Sequence, residues 1–103
     1  MFFVIPTEYF SKGIGDKKSI QGQNVYLECE VTKNIETVTW LKDGTNIEVS
    51  ERFEFHEEQN KCSLWIKDVT VNDTGLYSVI INGKGKSTGS LQVAGQYVDI
   101  VTG

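Results

Sequence analysis

The chain has 103 residues, 39% of them hydrophobic, with a formal charge of −4 at pH 7. That length fits one domain with a single core burying roughly two-thirds of the unfolded surface. An acidic balance argues against nucleic acid or an anionic membrane as the main partner, and no apolar run approaches the ~20 residues of a membrane-spanning helix.

Taken in order, Met1 to Pro6 is too short a stretch, and lacks the basic start, for a secretory signal. Pro6 precedes the first expected strand, where its missing amide removes no central ladder bond. The apolar residues then recur with period two, and no helical periodicity appears. Val25, Leu27, Cys29 and Val31 share one strand face, opposite Tyr26, Glu28 and Glu30. Val38 and Trp40 form the next inward set, which ends at the turn Lys42-Asp43-Gly44. Phe53 and Phe55 follow, then Cys62, Leu64 and Ile66, then Tyr77, Val79 and Ile81. Asn82-Gly83-Lys84-Gly85 reads as a tight hairpin, because Asn and Gly tolerate positive φ. The last strand sets Ser87, Gly89, Leu91 and Val93 on one side. Strands this closely spaced, with turn residues between them, predict an all-β, two-sheet sandwich. There is no internal repeat. The expected boundaries are a domain over residues 1–94 and a C-terminal extension or linker over 95–103.

Four separated motifs narrow the fold further. They are Ser19 to Cys29, Trp40-Leu41-Lys42-Asp43-Gly44, Leu64-Trp65-Ile66-Lys67-Asp68-Val69, and Asp73-Thr74-Gly75-Leu76-Tyr77-Ser78-Val79. Together they resemble an intermediate-set (I-set) immunoglobulin domain over roughly residues 4–94. The resemblance implies a Greek-key sandwich in which Val79 stands where the second disulfide cysteine normally lies. A small domain without that bridge fits a compartment where thiols stay reduced. Domains with an incomplete cysteine pair are frequent in giant intracellular muscle proteins such as titin, twitchin, obscurin, myomesin and myosin-binding protein C.

The resemblance also assigns roles. Tyr77 should form a tyrosine corner, bonding to backbone in the turn before its strand. Asp73 should cap that turn, and Gly75 should supply a conformation or close approach that a Cβ would spoil. Trp40 should fill the sandwich centre against Cys29 and Val79, with Leu64 in the same core. Cys29 and Cys62 should lie on adjacent strands. There they stand either as two buried free thiols or, in strained geometry, as a bridge.

No catalytic, cofactor or metal site is expected. The lone histidine, His56, sits beside Glu57 and Glu58 without a nucleophile or third ligand, and reads as an exposed strand end. The run Glu48, Glu51, Glu54, Glu57 and Glu58 reads as a solvated edge, or as a contact for a basic partner. No loop has the regular ligand spacing of a calcium site. Trp65 alternates out of phase with Leu64 and Ile66, so it should face outward, either as a binding surface or under long neighbouring side chains. Lys84 and Lys86 give the hairpin tip the opposite charge. Asn72-Asp73-Thr74 fits a glycosylation sequon, but its last two residues already belong to the turn motif.

The function implied is that of a non-catalytic structural and protein-interaction module of a large intracellular muscle or cytoskeletal protein. The expected partners are neighbouring immunoglobulin or fibronectin type III domains of the same chain and other sarcomeric or cytoskeletal proteins. Nucleic acid and membrane are not among them, and the isolated domain should be a monomer. Two other readings remain open: an extracellular adhesion or receptor domain, and a regulatory domain beside a muscle kinase.

Overall fold

The alternation of apolar and polar residues builds a β-rich chain in the computed structural model, which describes residues 9–95. The strands are β1 (Phe10–Lys12), β2 (Lys17–Ile20), β3 (Val25–Val31), β4 (Val38–Lys42) and β5 (Thr45–Asn46). They continue with β6 (Phe53–Glu58), β7 (Lys61–Ile66), β8 (Gly75–Ile81) and β9 (Gly85–Ala94). One sheet has the order β1-β3-β7-β6 and the other β2-β9-β8-β4-β5. A 3-10 turn over Val71–Asp73 joins β7 to β8. No helix among the described residues is long and apolar enough to cross a membrane.

Period-two patterning sends one face of each central strand into the space between the sheets. Val25, Leu27, Cys29 and Val31 of β3 are buried there, with Cys62, Leu64 and Ile66 of β7. Trp40, Tyr77, Val79, Ile81, Leu91 and Val93 enter from the opposite sheet. Phe53, Phe55 and Val38 close the margins as partly buried groups. Asp43 and Gly44 turn β4 into β5 with φ of 50° and 85°, and Asn82 and Gly83 turn β8 into β9 with 55° and 68°. Paired positive φ values match the right-handed twist of the flanking strands, which is why Asp-Gly and Asn-Gly occupy these turns.

The first strand divides: β1 pairs antiparallel with β3 in one sheet, whereas β2 pairs parallel with β9 in the other. The crossing is made by residues 13–16, where buried Ile14 donates its amide to Ser87 Oγ at 3.1 Å. Asp16 Oδ1 accepts the Ser90 amide at 2.9 Å. Gly89 makes room for the crossing, since a Cβ there would lie 1.9 Å from the Gly15 carbonyl oxygen. Pro6 and residues 96–103, most of the expected extension, lie outside the described residues.

Candidate functional site

The turn before β8 is the most polar point of the interior. Tyr77, with no exposed surface, donates its hydroxyl to the Asp73 carbonyl at 2.6 Å. Asp73 Oδ2 accepts the Thr70 amide at 2.8 Å and the Arg52 guanidinium. Arg52 also donates through Nε to the Lys67 carbonyl at 3.1 Å. Arg52 thus ties the loop before β6 to the segment between β7 and β8. Burial, reinforced by the Asp73 and Asp43 carboxylates, pushes the Tyr77 hydroxyl well above its ordinary pKa. Gly75 serves a close approach: a Cβ there would sit 2.7 Å from Asp43 Oδ2. Asp43 Oδ1 accepts the Leu76 amide at 2.9 Å, so the β4–β5 turn caps the start of β8.

Cys29 and Cys62 are Cα partners across β3 and β7, both buried and unbridged. The hydrogen bond to Cys29, and burial after it, push the Cys62 thiol far up. A thiol held protonated and sealed from solvent is a poor nucleophile. Trp40 is the Cα partner of Val79, and both lie in the core cluster with Cys29 and Leu64.

The outer face of the four-stranded sheet carries a cluster of aromatic and charged side chains. Tyr26, Trp65 and Glu54 face one another across β3, β7 and β6, and the next row holds Glu28, Ser63 and His56. Trp65 faces outward and is half-buried: its Nε1 donates to Ser63 Oγ at 3.0 Å. The His56 ring stacks on it at 3.9 Å, and Tyr26 meets it edge-on at 5.0 Å and 81°. His56 is therefore not a bare strand end, because it lies within β6 and its Nε2 meets Glu54 Oε1 at 3.0 Å. Glu54 likewise departs from the solvated-edge reading. It pairs with Lys67 and His56, which, in that order, hold its carboxyl below the ordinary range.

Lys84 and Lys86 are exposed at the β8–β9 hairpin. Asn82 anchors that hairpin: its Oδ1 accepts the Glu36 and Thr37 amides at 2.7 and 3.1 Å, and its Nδ2 donates to the Asn34 carbonyl at 2.8 Å. In the sequon, Asp73 is buried and Thr74 Oγ1 accepts the Val93 amide at 3.0 Å. Among the described residues, no group of three or more His, Cys, Asp or Glu side chains could hold a metal ion.

A corner built on Tyr77 and a tryptophan between two sheets are traits of immunoglobulin domains, and a model of the immunoglobulin I-set domain matches residues 8–94. The chain is an I-set immunoglobulin domain. Cardiac-type myosin-binding protein C of Mus musculus is 31% identical over 102 residues, covering 97% of this chain and 8% of that protein. Smooth-muscle myosin light chain kinase of Gallus gallus is 37% identical over 70 residues, covering 67% of this chain and 4% of the kinase. The I-set domain here thus spans less than a tenth of the length of these two relatives. The fold also matches the crystal structure of the I9–I11 tandem from titin. The TM-score is 0.80 at 23% identity, covering 84% of this chain and 32% of that one.

Of the residues that complete the corner, Arg52 had no expected role and Asp43 was expected only as part of the Lys42-Asp43-Gly44 turn. Each acts across strands that are distant in sequence. The only local signal was an Asp-Gly turn, which locates Asp43 without naming its partner.

Proposed function

We propose that this domain is a non-catalytic spacer and protein-binding module of a large intracellular muscle or cytoskeletal protein. It is set in line between neighbouring immunoglobulin or fibronectin type III domains. The observation that carries this reading is the path of the chain. Strand β9 runs about 30 Å at the usual rise per residue. It starts at Gly85, packed against Tyr9, and ends at Ala94, paired with Ile20. The first and last described segments therefore leave from opposite poles.

Tension between those poles loads β2 against β9 in shear. The pairs Lys17–Leu91, Lys18–Gln92, Ser19–Val93 and Ile20–Ala94 then resist together. The likeness to two muscle proteins supports a sarcomeric or cytoskeletal setting, and the two unbridged cysteines support a reducing one. A sequon whose Thr74 hydroxyl is engaged by backbone gives the extracellular reading no support.

Single-molecule stretching of a tandem array of this domain tests the proposal. Each rupture should be discrete and release about 270 Å, the extended length of residues 9–95 less their folded span. Ser19→Pro, which deletes an amide from the β2–β9 ladder, should lower the rupture force. Extension without discrete ruptures would refute the mechanical reading, and an unchanged force in the proline variant would move the load elsewhere.

A further inference from the structure

The outer face around Trp65 brings aromatic and charged side chains together outside the core. Ser63 is the smallest side chain in its centre, and the neighbours leave a hollow of about 300 Å³ over it. Trp65 and His56 form one wall and Lys61 another, with Glu28 and Glu58, which share this sheet face, contributing carboxylates. Two carboxylates against one ammonium make the hollow a site for a cation. The aromatic wall makes it a site for a flat one.

Different ligand chemistries fare differently there. An anion would meet the glutamates, and an apolar side chain would strip water from them without replacing their hydrogen bonds. A lysine ammonium would satisfy the charge but not the flat ring surface. A guanidinium does both, because it stacks on an aromatic face while its planar fork bonds a carboxylate in two places. The wall is already in place. The indole is fixed by its bond to Ser63 Oγ and by the stacked His56 ring, so little side-chain freedom is lost on binding.

Tyr26 extends the same surface. It is 43% exposed beside the Trp65 edge, and Glu28 lies two residues further along β3. A continuous aromatic and acidic strip of this kind suits an extended segment lying across the sheet. We propose that this hollow receives an arginine side chain from a basic, extended segment of a partner protein. The proposal rests on the reading of the domain as a binding module and names the chemistry of its partner.

The probe is an acetylated, amidated peptide alternating glycine and arginine, with lysine and glutamate counterparts of equal length. Each is titrated into the full chain and followed by amide and indole NMR signals. The chain has two tryptophans. The buried Trp40 therefore supplies an internal reference for folding. The arginine peptide should shift the Trp65 indole and the Glu28 and Ser63 amides saturably, leaving Trp40 still. The lysine peptide should bind about threefold more weakly, the share of a stacked cation. Replacing Glu28 and Glu58 together by Gln should weaken the arginine peptide about tenfold, as expected for two exposed ion pairs. Lys61→Ala should tighten it.

Equal response to arginine and lysine, or indifference to the glutamine variant, overturns the site. So does a Trp65 shift that grows with protein concentration before peptide is added, since that assigns the face to a second copy of the chain. If the peptide fails while the stretched array still ruptures discretely, the arginine site falls and the spacer reading stands. If the array also extends without ruptures, the spacer reading falls with it.

Discussion

Tyr77→Phe removes one oxygen from the most constrained point of the fold. That oxygen donates to the Asp73 carbonyl at 2.6 Å in a site with no exposed surface. Its loss forfeits the net worth of a hydrogen bond and strands a buried acceptor, together about 2 kcal/mol. For a domain of this size the corresponding drop in melting temperature is about 10 °C. Urea unfolding followed by tryptophan fluorescence should show a lower midpoint with an unchanged slope. A loss under about 0.5 kcal/mol would mean that water replaces the hydroxyl, and that the corner is not what orders this turn.

The same residue carries a pH signature. Burial raises the folded pKa of Tyr77 above its ordinary value of 10.0. The contribution of the neutral hydroxyl is therefore fully present below pH 10 and fades as pH climbs toward the folded value. In that window the parent should lose about 1.4 kcal/mol per pH unit relative to Tyr77→Phe. The stability gap between the two proteins should therefore narrow above pH 10. The other tyrosines are common to both proteins and cancel. A gap that stays constant into the alkaline range would show that Tyr77 is not held neutral by its burial.

Two further substitutions probe the packing. Val79→Cys faces Cys29 across the sheets and closes a loop of about fifty residues, which chain entropy values at about 4 kcal/mol. The parent should titrate two thiols when denatured, and the oxidised variant should titrate one and melt higher. Three free thiols in oxidising buffer would mean that residues 29 and 79 do not face each other. Gly89→Ala would place a methyl group 1.9 Å from the Gly15 oxygen and 3.2 Å from Ile14 Cγ1. Thermal unfolding should therefore register a loss of about 3 kcal/mol, the upper range for overpacking. A neutral result would show that the crossing at Gly15 gives way freely.

Sequence period and turn chemistry were enough to place the central strands, because each is decided within a few residues. Val25 to Val31 alternates so regularly that its buried face could be read directly, and Asn82-Gly83 located its own hairpin. The Cys29–Cys62 pairing followed from parity once β3 and β7 were taken as neighbours. What stayed hidden depends on register between distant strands. Arg52 reaches Asp73 only because the loop before β6 folds back beside the 3-10 turn. His56 stacks on Trp65 only because Glu54 pairs with Trp65 and His56 with Ser63. The crossing of β1 into β2 was obscure for a further reason: its marks, Gly13, Gly15 and Gly89, are ordinary glycines until the sheets are assembled.

The lengths of the outermost strands bear on how this domain would fare beside copies of itself. Among the described residues the sheet edges are β1, β2, β5 and β6, with 3, 4, 2 and 6 residues. Unpaired edges template pairing with other chains, and identical neighbours tethered together face that hazard at high local concentration. Three of these edges are too short to recruit a foreign strand. The long one, β6, carries Glu54, Glu57 and Glu58 along its six residues. Two copies meeting at β6 would bring their glutamates together, so repulsion between like domains guards this edge against aggregation.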